Sequence, residues 1–362
     1  MFTRQGTALI GLLVGCSAST GGNEPDATPV DVGTEVGDAD VAPVSRTPPP
    51  RPSGEAVGTT QWFVVDMFRM GLTMRDGTAS AAAWRDYGYD LDGRYTSPAD
   101  SQSETNTCKR DSGASSKVLS DGTDGTDNNF GQHVLAVIKS LAANYETGVN
   151  NTVRAGTWTW LVKVDNFTTG DNAKAPGALY AAANFAGGSR SPSFAETETG
   201  WSIVDASLVD RATVSLPRAQ FPKGYVANGY WVSGEIGATS AEVILPLFGG
   251  PVLVPLESAV ISFRVADGSD GTLAGAVKTT KFIDAWGASL KSGGVCPGSA
   301  TYDQLVDTIT QSADLVSGLP GLQSISKTCD ALSIGVGFSV RRAGGHSSAP
   351  IRTTTTPPSK CP

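Results

Sequence analysis

Short runs along this chain alternate between apolar and polar side chains with a period of two, the pattern of a half-buried strand. In TWTWLVKV, Trp158, Trp160, Val162 and Val164 fall on one side; in VISFRV, Ile261, Phe263 and Val265 do so. In ALSIGVGFSV, Leu332, Ile334, Val336, Phe338 and Val340 share a face. QWFVVDMFRM, from about Gln61, opens the folded region, and AEVILPLFG, ATVSLP and GYVANGYWVSG are weaker strands set off by Gly, Pro and Asn turns. The pattern predicts a mainly β chain, a β-sandwich of jelly-roll or lectin-like type. Three segments switch to helical spacing and predict inserts packed on the sheet. The first carries Phe130, Val134, Ile138, Leu141 and Tyr145, with Asn128 or Asn129 as N-cap and Gly148 as stop. The second carries Phe282, Ile283, Trp286 and Leu290, and the third Tyr302, Leu305, Val306, Ile309, Ala313 and Val316.

The ends read differently. Residues 16–59 contain GGNEPDATPVDVGTEVGDADVAPVSRTPPPRPSGE, which buries too little apolar area to offset chain entropy. A tether of this length has a root-mean-square reach of about 35 to 40 Å, with the proline run stiffening part of it. Residues 344–362 return to low complexity. Before the tether, Arg4 precedes an apolar run over 7–14, long enough for a secretory signal and too short to span a bilayer. The organisation predicted is therefore a signal at 1–15, a tether at 16–59, a β-sandwich at 60–343 and a tail at 344–362.

The run closes on Leu13, Val14, Gly15 and Cys16, which resembles the lipobox of bacterial lipoproteins. The resemblance implies cleavage before Cys16 and a diacylglyceryl group on its sulfur, with two or three acyl chains making a stable anchor. Ser17 follows the cysteine where inner-membrane retention uses Asp, which implies the outer membrane, the domain facing periplasm or exterior. The competing reading is an ordinary signal cut near Ala18. QWFVVDMFRM, YGYDLDG and DGTDGTDNNFG further resemble segments of an uncharacterised secreted lipoprotein family of Gram-negative bacteria, with no known activity attached.

Composition narrows the classes. Charged residues make up 17% of the 362, glycines number 43, and the formal charge is −8, so turns are frequent and electrostatic binding to nucleic acid is excluded. Beyond Cys16 there are Cys108, Cys296, Cys329 and Cys361, an even set that predicts two disulfides in an oxidising compartment. Three pairings are open. Cys296 with Cys329 is favoured because the pair brackets the third helical insert, which leaves Cys108 with Cys361.

Chemistry concentrates in YDLDG at 89–93 and SDGTDGTDNN at 120–129. Asp90, Asp92, Asp121, Asp124 and Asp127 offer five hard oxygen donors in Gly-rich loops, and Ca²⁺ takes six to eight such oxygens in flexible geometry. The opening of YDLDG resembles an EF-hand loop, but the later ligands of that loop are absent. DGTDGTDN is closer to the calcium repeats of thrombospondin type 3 modules. The competing reading assigns these residues to turns and to capping of the following helix.

For catalysis the chain has only His133 and His346 as imidazoles; His133 is expected at the surface and His346 in the tail. SISK at 324–327 has the serine and lysine spacing of penicillin-interacting enzymes without their companion motifs. A non-catalytic binding or structural domain is thus the leading expectation. The alternative is a glycan-acting hydrolase or a carbohydrate-binding module, with Trp84 and Trp201 as candidate exposed rings and a carbohydrate or protein as ligand.

Overall fold

The computed structural model describes residues 46–97, 107–318, 323–347, 350–351 and 359–361. Cys16 and the 1–15 segment lie outside the described residues. Among the described residues, eleven strands form: β1 (Thr59–Arg69), β2 (Trp158–Phe167), β3 (Gly177–Ala183), β4 (Ser202–Ile203), β5 (Ala219–Phe221), β6 (Tyr225–Ala227), β7 (Tyr230–Val232), β8 (Ala241–Leu247), β9 (Gly250–Arg264), β10 (Gly271–Lys278) and β11 (Ala331–Ala343). Four α-helices accompany them: α1 (Leu135–Leu141), α2 (Tyr145–Arg154), α3 (Thr279–Gly293) and α4 (Ala300–Gln311). The fold is mainly β and sandwich-like, as the alternation predicts.

The named strands pair antiparallel in the order β4, β3, β2, β1, β11, β10, β9, β7, β6, with β5 beside β3 and β8 beside β9. The long strand β9 belongs to two ladders. Its first half pairs with β8, from Leu256 opposite Ala241 to Gly250 opposite Leu247, and its second half pairs with β10 and β7. Between them the register shifts and Ser258 takes a left-handed φ of 53°, the local bend of a β-bulge. The β8–β9 hairpin thereby shares one core with the long sheet.

The predicted strand stripes face that core, whereas Ala313 and Val316 of the third helical stripe lie beyond α4 in a separate cluster around Cys108 and Cys329. Trp158, Trp160, Val162 and Val164 of β2, Ile261 and Phe263 of β9, Val265 just beyond it, and Leu332, Ile334, Val336, Phe338 and Val340 of β11 join one buried cluster. In β1 the register shifts between Val65 and Met67, which explains why Phe63 and Val65 share this core with Phe68 in place of residue 67. Val64 and Leu161 face the other side, where Tyr180, Phe185, Trp201 and Ile203 cover them.

Several expectations need correction. The first helical stripe is two helices: a π-type turn, Phe130–Val134, leads into α1, the chain breaks at residues 142–144, and α2 starts at Tyr145. Gly148 lies inside α2 and stops nothing. α2 docks through polar groups that the apolar stripe does not reveal. Buried Glu146 accepts from the N–H groups of Met70 (2.7 Å) and Leu72 (3.1 Å), and Asn150 both accepts from Phe68 N–H (2.7 Å) and donates to its carbonyl (2.9 Å). These side chains supply partners for the backbone at the end of β1.

The disulfides are Cys108–Cys329 and Cys296–Cys361, not the favoured pairing. Lys109 forms a parallel bridge with Thr328, donating to Lys327 O at 2.8 Å and accepting from Cys329 N–H at 2.8 Å, so Cys108 is carried beside Cys329. Lys360 N–H donates to Lys291 O (3.0 Å) near the end of α3, which brings Cys361 to Cys296. Bracketing one insert in sequence is a weaker constraint than these backbone contacts.

The described ends of the flanking segments are also docked. Within 46–58, Tyr225 Oη donates to Pro49 O (2.6 Å), and Arg51 pairs with Glu235 (2.7 Å) over the Tyr225 ring. Prolines hold this strap extended and leave its carbonyls to neighbours. In the tail, Ile351 bridges Val204. Among the described residues, no helix is long and apolar enough to cross a membrane.

Candidate metal centre

The outward face of β11 prepares the site. Between the core residues Leu332, Ile334, Val336 and Phe338 lie Ser333, Gly335 and Gly337, and the loops bearing the aspartates settle on these small residues. A Cβ on Gly335 would lie 2.0 Å from Tyr87 O, and one on Gly337 would lie 2.2 Å from the Tyr87 ring. Only hydrogen fits there. Gly335 N–H donates to Asn128 Oδ1 (2.9 Å), which also accepts from Gly131 N–H (3.0 Å) and so caps the helical turn that follows. Asn129 N–H donates to Ser333 Oγ (2.7 Å).

These anchors bring the two acidic loops together. Asp127 N–H donates to Tyr89 O (3.0 Å), and Asp127 Oδ2 accepts from Leu91 N–H (2.6 Å). Asp90 Oδ1 accepts from Gly93 N–H (2.7 Å) and Arg94 N–H (3.0 Å), and Asp92 Oδ1 accepts from Arg94 N–H (2.9 Å). Each of Asp90, Asp92 and Asp127 places a carboxylate oxygen within 4.8 Å of the others. Asp90 and Asp127 are buried, at 1% and 4% exposure, whereas Asp92 is half-buried.

Of the five aspartates singled out in the sequence, three converge. Asp121 is half-buried beside them with Oδ2 accepting from Thr96 N–H (2.5 Å), and Asp124 is exposed at a left-handed φ of 53°, outside the convergent set. A further buried acid, Asp314, enters the same electrostatic environment. Its carboxylate accepts from Ser333 N–H (2.9 Å) and Ser333 Oγ (2.5 Å). Its sequence signal is a single Asp between the buried Ala313 and Leu315, where an apolar stripe would otherwise continue.

Burial raises the pKa of each perturbed acid, and the neighbouring carboxylates add to it. Asp92 is pushed up to about 6, chiefly by burial and then by the charge of Asp90 against the opposing Thr107 hydrogen bond. Asp314 reaches about 7, again chiefly through burial, although its Ser333 hydrogen bonds oppose the rise. Asp121 reaches about 9, from burial with Asp92, Asp314 and Asp90 adding repulsion. Asp127 is raised well above the ordinary range by burial and the same neighbours. Ionised together, these groups repel; a divalent cation among them removes the repulsion.

The donor set fits a hard cation. Two oxygens on opposite sides of Ca²⁺, at bond lengths of about 2.4 Å, lie about 4.8 Å apart. Carboxylates alone do not favour softer metals, which select sulfur or imidazole.

The remaining sequence candidates do not converge here. Trp84 and Trp201, expected at the surface, are buried at 6% and 1% exposure, and Trp158, Trp160, Trp231 and Trp286 are buried as well. Polar neighbours in sequence mislead because Trp201 packs against Phe185 (5.2 Å between rings) under a long irregular cover. Trp62 is half-buried between Tyr180 and His346. His133 is half-buried, its Nε2 closed to solvent, and burial lowers its pKa.

Comparison with protein families, with curated proteins and with solved structures finds no match.

Proposed function

We propose that this chain is a lipid-anchored lipoprotein of the bacterial outer membrane, presenting a non-catalytic β-sandwich domain with a binding or structural role that Ca²⁺ stabilises. The observation that carries the calcium reading is the convergence of Asp90, Asp92 and Asp127 within 4.8 Å of one another in a largely buried setting. In that setting, each carboxylate is a hydrogen-bond acceptor from loop backbone, so the loops present their oxygens inward. Bound Ca²⁺ supplies positive charge only; the chain's own residues tie residues 89–97 to 120–129.

The anchor reading rests on the LVGC segment ending at Cys16, and the two disulfides agree with an oxidising compartment. The carbohydrate alternative loses the exposed rings that motivated it, because Trp84 and Trp201 are core residues.

Two experiments separate the parts. Intact mass spectrometry of the protein expressed in a Gram-negative host is expected to find the chain starting at Cys16 with a diacylglyceryl adduct. An unmodified chain starting near Ala18 would overturn the anchor. Isothermal titration of the chelator-treated protein with CaCl₂ is expected to give saturable binding that Asp127→Asn weakens by about tenfold or more, as expected when one charged ligand of a Ca²⁺ site is lost. Identical flat titrations would overturn the metal.

A further inference from the structure

A separate feature lies on the core side of the sheet, where α2 crosses the β8–β9 turn. Between them is a cavity of about 540 Å³, within the ordinary size of a small-molecule site. Tyr145, Gly148, Val149 and Thr152 line it at spacings of three, four and seven, one face of α2. That stripe makes a trough about 10 Å long at 1.5 Å rise per residue. Phe248 and Trp158 close its other sides.

The chemistry of the wall is consistent along its length. Among the described residues, none lining the cavity is charged. The polar groups of the α2 face are spent inside the protein: Tyr145 Oη donates to Pro246 O, and Thr152 Oγ donates to Val149 O (2.7 Å). Trp158 Nε1 is closed to water and so offers no donor to the trough, and Asn144, exposed just before α2, is the remaining polar side chain of a mostly apolar wall. Gly148 is the position from which the trough can be filled. It sits inside α2, where glycine is unfavourable, yet a Cβ there would meet nothing within 4 Å. Gly148 is exposed and nothing packs against it, so a larger side chain there can enter the trough without displacing a neighbour.

We propose that this trough binds an uncharged alkyl chain, as in a fatty acyl ester. The elongated shape suits a chain, and the lack of any cation in the wall disfavours a free carboxylate inside. The assignment is independent of Cys16 and of the acidic loops.

The test uses the full chain carrying Cys16→Ser, so that no acyl group of its own competes. N-phenyl-1-naphthylamine is titrated by fluorescence and then displaced with methyl laurate. Saturable uptake and displacement are expected, with Gly148→Phe weakening both by about tenfold or more as its ring fills the trough. Gly148→Leu weakens them less, and both variants keep or raise the melting temperature because they replace a mid-helix glycine. Gly287→Phe, the same change in open space on α3, leaves uptake as in the parent. Absence of saturable uptake, or a folded Gly148→Phe protein that takes up probe like its parent, overturns the proposal.

Discussion

On one side of β11, Leu332, Ile334, Val336, Phe338 and Val340 enter the sandwich core; on the other, Ser333, Gly335 and Gly337 receive loops carrying Asp90, Asp92, Asp121, Asp127 and Asp314. The first side is held by burial of apolar area, which varies little with pH or ions. The second is held by hydrogen bonds to backbone and by small residues that permit close approach, and it concentrates like charge. A single strand thus separates apolar packing that responds little to pH from a cluster of buried carboxylates whose pKa values are raised by burial and mutual repulsion. The chemistry of the candidate site follows from that asymmetry.

The comparison is sharpened first by cutting the covalent tie on the polar side. Cys108–Cys329 closes a loop of 221 residues, and on the chain-entropy model its removal by Cys108→Ser with Cys329→Ser costs about 5 kcal/mol. Urea unfolding measures it, and a loss under 1 kcal/mol would show that the backbone bridge alone fixes this region. On the apolar side, Ile334→Ala empties a fully buried position and should cost about 2 to 5 kcal/mol, equally in calcium and in chelator. A cation-dependent cost would mean that the two faces are not separable. Gly335→Ala adds one methyl where the first contact would be at 2.0 Å, and about 1 to 3 kcal/mol is expected, together with a weakened calcium response because the Tyr87 loop must move.

The gentlest probe is pH. Asp92, Asp314, Asp121 and Asp127 all have folded pKa values above the ordinary 3.8, so the folded chain holds protons that the unfolded chain gives up earlier. Their contribution is fully present below pH 3.8 and is lost as pH rises through about 6, 7 and 9 for the first three. In chelator, the melting temperature should therefore decline across this window, and saturating calcium should flatten the decline. A melting temperature that rises with pH in chelator would reverse the assignment.

Much of the apolar side was legible in the chain. Period two placed β2, β9 and β11 with the correct face inward, because a strand with one core face leaves its register no freedom. The bulge in β1, the break between α1 and α2, and the docking of α2 through Glu146 and Asn150 were not legible, since each depends on a partner distant in sequence. The site was readable in part. Asp90, Asp92 and Asp127 stood out by clustering, but Asp314 joins them only because Ser333 accepts Asn129 on one side and binds Asp314 on the other. The disulfide pairing failed for the same reason. Proximity along the chain carried no information about the bridge between Lys109 and Thr328.

The central claim is that Asp90, Asp92 and Asp127 form a cation site on the polar side of β11, and thermal unfolding at pH 8 tests it most directly. At calcium near 100 times its dissociation constant, the parent should gain about 2.7 kcal/mol over the same protein in EDTA, and Asp127→Asn should lose most of that gain. Coincident melting curves for the parent in calcium and in EDTA would contradict it.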